Sequence, residues 1–170
     1  NEAETVAVIR YTLAKIDEVD TKLSSTHTKK GATASITLKT LGDSAVGGTY
    51  YDAYDGDSDK ELPGFDADTY KADTVLAVAK KLNSDVILDS YVASEVEGKI
   101  TAVNKGSKAK VTVSGTEYPI HAAFDLNGTI PAGASNLADL TLNDSKYVIY
   151  TDKNGYVIGI DETESAKISD

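Results

Sequence analysis

The sequence contains no cysteine, no methionine and no tryptophan. Without cysteine the chain can form no disulfide, no thiolate metal site and no cysteine nucleophile. The absence of tryptophan removes the largest aromatic ring on which a sugar-binding cleft can stack its ligand. Apolar runs are also far shorter than the roughly 20 residues that a membrane helix requires. We therefore expect a soluble chain without membrane insertion.

Arginine is nearly absent as well, since Arg10 is the single one in the chain. Lysine and arginine together number 17 against 27 aspartates and glutamates, which gives a formal net charge of −10 at pH 7. An acidic surface repels phosphate backbones, and bidentate contacts to phosphate and guanine rely on arginine. Nucleic acid is therefore not an expected partner.

The length of 170 residues allows one domain or two. The sequence does not begin with methionine, and its first residues form no basic and apolar leader. We expect it to be a mature or excised fragment of a longer protein. Cysteine-free sequences are typical of many surface proteins of Gram-positive bacteria, although some cytosolic proteins share this property.

The strongest local signal is a predicted hairpin over residues 146–160. Two runs rich in β-branched and aromatic residues flank Asn154-Gly155. Asn-Gly is the pair best suited to the positive φ angles of a two-residue type I′ turn. A degraded copy of this pattern occurs at residues 74–89, with its turn near Asn83.

The first long strand is predicted over residues 6–20. Its period-two pattern slips at Ile16, which indicates a β-bulge or a sharp bend. An amphipathic helix over residues 13–23 is the competing interpretation. Further strands are predicted over 34–41, 49–54, 75–79 and 86–91, and in the second of these Tyr50 and Tyr54 are expected to share one face.

The second half of the sequence repeats the first. Three blocks recur in the same order: Ala14–Asp20 matches Gly98–Asn104, Ala34–Leu38 matches Ala109–Val113, and Thr74–Ala79 matches Lys146–Thr151. No segment rich in proline, glycine or serine separates the copies. The sequence therefore predicts an all-β chain of two tandem small antiparallel β-barrel or sandwich modules, residues 1–92 and 93–170, related by an internal repeat and directly abutting.

The best candidate for a ligand site is the acidic loop at residues 52–61. Calcium prefers several oxygen ligands, and Asp55, Asp57, Asp59 and Glu61 could direct alternate side chains at one ion. The spacing of an EF-hand is missing, because no glycine and glutamate stand at its sixth and twelfth positions. A solvated acidic loop is the competing interpretation. Calcium is the only cofactor that the sequence suggests.

Other chemical signals are weak. His27 and His121 are the only histidines, and neither stands at metal-ligand spacing with a carboxylate. The sequence has no Gly-x-Ser-x-Gly nucleophile elbow and no glycine-rich phosphate loop. Most of the ten tyrosines fall in predicted strands, where cross-strand aromatic pairs stabilise sheets. We expect a protein that is not an enzyme. The alternative role for the tyrosines is to line a carbohydrate-binding groove.

Three segments of the second copy carry a resemblance to a known class of protein. Residues 97–103 (EGKITAV), 110–118 (KVTVSGTEY) and 147–158 (YVIYTDKNGYVI) resemble β modules in surface proteins of Gram-positive bacteria that also bear S-layer homology domains. The wall-binding motif of those homology domains is absent from the sequence, so the resemblance carries over no anchoring or catalytic residue.

The resemblance implies a secreted protein of the cell wall or cell surface. In such a protein these modules act as structural or interaction elements, and the expected partners are neighbouring modules, copies of a surface-layer protein or cell-wall polysaccharide. The alternative function is a carbohydrate- or ligand-binding adhesion module, with or without a dependence on calcium.

Overall fold

The structure, a computed structural model, describes residues 11–41, 46–54, 60–104, 108–120 and 145–163. Over these residues the chain forms eleven strands and one helical turn, which confirms the predicted all-β class. The elements are β1 (Tyr11–Asp20), α1 (Ser25–Thr28), β2 (Ser35–Thr40), β3 (Gly48–Tyr51), β4 (Val75–Lys80), β5 (Ile87–Val92), β6 (Ser94–Gly98), β7 (Ile100–Asn104), β8 (Lys110–Val113), β9 (Thr116–Pro119), β10 (Tyr147–Thr151) and β11 (Val157–Glu162).

The first five strands form one antiparallel sheet in the order β3-β2-β1-β4-β5, curled into a half-barrel. The long strand β1 lies at its centre, where it pairs with β4 through its first half and with β2 through its second. The helical alternative for residues 13–23 is wrong, because β1 continues to Asp20. The predicted irregularity is confirmed as a register shift between Ile16 and Glu18.

The remaining strands form two sheets of three strands, β11-β10-β6 and β7-β8-β9. Strands β6 and β7 follow each other with only Lys99 between them. Together they occupy the place that β1 holds in the first sheet, since β6 pairs with β10 and β7 pairs with β8. We call residues 11–92 the first unit and residues 94–163 the second unit.

The strand pairings of the two units correspond residue by residue. Ile16 lies opposite Leu38 in the first unit, and Ile100 lies opposite Val113 in the second. A register shift follows immediately after Ile16 in one pairing and after Ile100 in the other. A further shift occurs at equivalent points of the β4–β5 and β10–β11 hairpins. Bulges are inherited features of a sheet, so their coincidence supports one repeated β unit.

The sequence match between β4 and β10 is wrong by one residue. It equates Val75 with Tyr147, whereas the structure equates Leu76 with Tyr147. Ala14 lies opposite Leu76 in the first unit, and its counterpart Gly98 lies opposite Tyr147 in the second. All but the last residue of β4 is buried, on both faces of the sheet. A strand buried on both faces has no polar alternation from which its register could be predicted.

The β10–β11 hairpin does not contain the predicted two-residue type I′ turn. Gly155 has φ +80°, but Asn154 does not have a positive φ. The backbone N–H of Gly155 donates to the carbonyl of Asp152 (2.9 Å), and that of Asp152 donates to the carbonyl of Tyr156 (2.9 Å). The loop therefore has three residues, with glycine in the left-handed position. The Asp152 carboxylate favours this form by accepting from the N–H groups of Asn154 (2.8 Å) and Tyr156 (3.0 Å).

Each unit has a hydrophobic core of its own. Residues at alternate positions of the strands supply most of both cores, as period-two patterning requires. In the first unit the core includes Ile16, Ile36, Leu38, Tyr50, Leu76, Val78 and Ile87, and in the second it includes Ile100, Val111, Val113, Tyr147, Ile149, Val157 and Ile160.

A third cluster of buried side chains joins the two units. The opposite face of β1 and β4 packs against β10 and β11, and the members of this inter-unit core are Tyr11, Leu13, Val75, Ala77, Ala79, Ala93, Tyr150 and Ile158. Ala93 is the single residue between β5 and β6, at the predicted 92/93 boundary, and it is buried. Since a buried contact unites the units, their division into separate domains stays a prediction.

Candidate functional site

Most of the predicted calcium site lies outside the described residues. Asp55, Asp57 and Asp59 belong to the part of the chain that the structure does not describe, and only Glu61 can be placed. The Glu61 carboxylate accepts a hydrogen bond from the backbone N–H of Tyr54 (3.1 Å) and so fixes one end of the loop. Within the described ranges no group of three or more metal-ligating side chains occurs. The calcium site stays a prediction.

Asp52 fixes the other end of this loop. Its carboxylate accepts from the backbone N–H groups of Thr33 (2.8 Å) and Ala34 (3.1 Å), and also from the Thr33 hydroxyl. Partial burial acts to raise the pKa of Asp52, but the hydrogen bonds from these residues together outweigh it and lower the pKa. Asp52 is therefore a structural carboxylate that joins β3 to the segment before β2.

This pKa shift predicts how stability depends on pH. The folded-state pKa of Asp52 lies below the unfolded value of about 3.9, so its stabilisation is present above that value and is lost as the pH falls through the folded-state pKa. Asp52→Asn should lower the free energy of unfolding at pH 7 by about 1–2 kcal/mol. It should also flatten the loss of stability in acid. Urea unfolding across the acid range measures both effects.

The exposed Asp68 supplies the control for this prediction, because it lies outside these hydrogen bonds. Asp68→Asn should leave the acid dependence of the wild-type chain in place. Equal curves for Asp52→Asn and the wild-type chain would contradict the role assigned to Asp52.

The side chains beside this loop form a partly exposed aromatic cluster of His27, Tyr51 and Tyr54. The ring centroids of His27 and Tyr51 lie 4.7 Å apart, and those of Tyr51 and Tyr54 lie 4.9 Å apart, with interplanar angles of 30° and 19°. These distances correspond to stacked arrangements. The cluster thus joins the α1 turn to the end of β3.

Polar contacts hold the rings of the aromatic cluster in place. Nδ1 of His27 lies 3.1 Å from the Ser24 hydroxyl, and Nε2 lies 3.0 Å from the Tyr51 hydroxyl. The ammonium of Lys30 lies 4.9 Å from the centroid of the Tyr54 ring and donates to its hydroxyl (3.2 Å). The arrangement can offer aromatic surface together with hydrogen-bonding groups to a ligand.

The sequence predictions did not identify this cluster. Tyr50 and Tyr54 were expected to share a face, but β3 ends at Tyr51, so its alternation does not reach Tyr54. Tyr50 is buried in the first core, whereas Tyr54 stacks with Tyr51 at the surface. His27 lies in the helical turn α1 and not in the predicted loop, and His121 lies outside the described residues. The one sequence signal for the cluster is the Tyr51-Asp-Ala-Tyr54 spacing within the strand predicted over residues 49–54.

A cleft of about 400 Å³ lies at the end of the first sheet. Apolar side chains form part of its lining, among them Val19, Phe65 and Tyr70. Asp17, which also lines the cleft, forms an ion pair with Lys39 (2.7 Å). The lining of the cleft therefore combines apolar side chains with charged ones, and the Asp17 carboxylate is paired with Lys39.

A second group of polar and aromatic residues links the two units beside the inter-unit core. The Tyr11 hydroxyl donates to Asp89 (2.7 Å), and the Lys153 ammonium lies 3.4 Å from the same carboxylate oxygen. That ammonium also lies 5.2 Å and 5.4 Å from the ring centroids of Tyr11 and Tyr91. We call Tyr11, Asp89, Tyr91 and Lys153 the inter-unit clamp.

The clamp also includes a hydrogen bond to the backbone of the β10–β11 hairpin. The N–H of Lys153 donates to the Tyr91 hydroxyl (2.9 Å). Burial raises the pKa of Tyr91, and burial followed by the nearby carboxylates of Glu95 and Asp161 raises the pKa of Tyr150 in the adjoining core. Tyr91 and Tyr150 are therefore held in their neutral form, whose burial costs less free energy than burial of the phenolate.

Comparison with protein-family profiles, curated proteins and solved structures finds no match for this chain. The helical turn α1 is the single helix in the described ranges, and no helix there is long and apolar enough to cross a membrane.

Proposed function

We propose that this chain is a structural, non-catalytic segment of a cell-wall-associated surface protein of the S-layer type. In this proposal its two units form a fixed spacer that holds neighbouring modules at a set distance and orientation. The observation that carries the proposal is the inter-unit contact, where a buried core and a polar clamp join two copies of one β unit.

The connection between the units supports a rigid spacer. Only Ala93 separates β5 from β6, and its backbone N–H donates to the carbonyl of Val75 (3.0 Å). Flexible linkers between domains are longer, exposed and rich in glycine, serine or proline. A connector of one buried, hydrogen-bonded residue restricts relative motion of the units on both sides.

The end of the second unit repeats this connector. The backbone N–H of Thr163 donates to the carbonyl of Lys146 (3.3 Å), which is the counterpart of the Ala93 contact with Val75. In the sequence that follows, Ala166-Lys167-Ile168 repeats Ala14-Lys15-Ile16 and Gly98-Lys99-Ile100. The motif found within β1 and at the junction of β6 and β7 therefore occurs a third time in the sequence, which favours a tandem array of such units.

Composition and resemblance favour the location in this proposal. The chain is acidic and free of cysteine, and its second unit resembles the β modules of Gram-positive surface proteins. The partners proposed on this basis are neighbouring modules, further copies of the surface protein or wall polysaccharide. Nucleic acid is not proposed, because the net charge of −10 opposes it.

Surface labelling of intact cells of the source organism tests the proposed location. Antibodies against the chain should bind intact cells, and brief trypsin treatment of those cells should release its peptides while a cytoplasmic enzyme remains inside. Recovery of the chain only after cell lysis, together with the cytoplasmic enzyme, would contradict the proposal.

A further inference from the structure

We propose that the aromatic cluster of His27, Tyr51 and Tyr54 is a binding site for a neutral carbohydrate. This inference goes beyond the structural role, because a spacer needs no ligand.

The repeat itself shows that the fold does not require this cluster. Tyr51 lies opposite Ser35, and the residue in the equivalent register of the second unit is Pro119, opposite Lys110. The preceding tyrosine is repeated, since Tyr50 packs in the first core and Tyr118 packs against the second. The tyrosine at the position of Tyr50 is thus shared by both units, whereas the tyrosine at the position of Tyr51 occurs only in the first unit. A contiguous, partly exposed aromatic cluster whose Tyr51 has no aromatic counterpart in the second unit points to binding.

The geometry of the cluster suits a pyranose ring. A sugar has a face of C–H groups that packs on an aromatic ring and a rim of hydroxyl groups that require donors and acceptors. The Tyr54 hydroxyl and the Lys30 ammonium, 3.2 Å apart, supply such polar groups beside the Tyr54 ring. The Ser24, His27 and Tyr51 contacts hold two of the rings in advance of binding. Apolar surface with a few fixed polar groups is the usual composition of a small-molecule site.

The charges around the cluster favour a neutral ligand. The whole chain has a formal net charge of −10, so an anionic ligand would be repelled. A cationic ligand would compete with Lys30, whose ammonium already occupies a cation–π position at Tyr54. A hydroxyl-rich neutral sugar is not repelled by this charge, and its hydroxyl groups can accept hydrogen bonds from the Lys30 ammonium.

Titration of the full chain with defined oligosaccharides, followed by amide NMR, tests this inference. The neutral probes are cellotetraose, maltotetraose and chitotetraose, and tetragalacturonate is the anionic probe. We expect saturable shifts for at least one neutral probe, centred on residues 24–30 and 51–54. No response to any neutral probe, or tighter binding of tetragalacturonate, would overturn the inference.

Three variants separate a binding role from a structural one. Tyr54→Ala should weaken binding at least about tenfold, as truncation of a central aromatic contact does. Tyr54→Phe keeps the ring and should retain affinity within about threefold. Tyr156→Ala removes an exposed tyrosine of the second unit and should leave affinity unchanged. If Tyr54→Ala stays folded by circular dichroism and binds as tightly as the wild-type chain, the inference fails.

Discussion

Ile158→Asp should lower the free energy of unfolding by about 3–5 kcal/mol, because it places an unpaired carboxylate in the inter-unit core. Ile158 is 3% exposed and packs among the side chains that join the two units. Chemical denaturation measures the loss. Small-angle X-ray scattering of the folded variant then shows whether the units have separated, since a chain whose units no longer pack together should have a larger radius of gyration.

The repeat supplies a matched control at Leu88. Leu88 of β5 is the counterpart of Ile158 of β11. Each is the second residue of its strand, and the first residues, Ile87 and Val157, form equivalent pairs next to the register shifts of their hairpins. Leu88, however, is 50% exposed. Leu88→Asp should therefore change the free energy of unfolding by no more than about 1 kcal/mol. Equal losses in the two variants would contradict the inter-unit contact and, with it, the rigid spacer.

The all-β class and the internal repeat could be predicted because their signals are local. The slip in the hydrophobic pattern at Ile16 corresponds to a bulge in β1, and the repeated Lys-Ile motif places Ile100 before the equivalent bulge. Strands exposed on one face keep the alternation that fixes their register. For this reason β2 and β8 were aligned correctly from sequence, through Leu38 and Val113.

The inter-unit contact could not be predicted, because it uses the same residue types as an ordinary strand. In the sequence Leu13 and Ala77 are ordinary apolar strand residues, and no pattern indicates which face of the sheet each one occupies. Nor does the sequence indicate that β4 is buried on both faces. The one-residue error between β4 and β10 has the same origin. The clamp depends on contacts between distant residues, such as Lys153 with Asp89, for which no local pattern exists.

The candidate site was missed for a related reason. His27 and Tyr51 are 24 residues apart, and only the packing of α1 on β3 brings them together. The sequence prediction instead concentrated on acidic residues adjacent in the chain. The structure gives the two ends of that loop a structural role, since Asp52 and Glu61 both accept hydrogen bonds from backbone N–H groups. Adjacency in sequence predicted a charged loop but not the aromatic surface beside it.

The loop segment after β3 is held against β5 at a point where only glycine fits. The Ser90 hydroxyl donates to the carbonyl of Pro63 (2.6 Å), and it also lies 2.8 Å from the hydroxyl of the buried Tyr70. A Cβ atom added to Gly64 would lie 2.1 Å from the carbonyl oxygen of Ser90. Because that oxygen belongs to the backbone of β5, no side-chain rotation can relieve the overlap.

Gly64→Ala should consequently lower the free energy of unfolding by about 3 kcal/mol or more, which is the range of severe backbone and packing defects. Gly31→Ala is the matched control, because Gly31 has φ +91° against +88° for Gly64 but has no atom within 4 Å of its added Cβ. Gly31→Ala should lower the free energy of unfolding by only about 1–2 kcal/mol, which is the cost of placing alanine in the left-handed backbone conformation. Urea unfolding of both variants isolates the steric term, and equal losses would mean that the loop does not lie against Ser90 in solution.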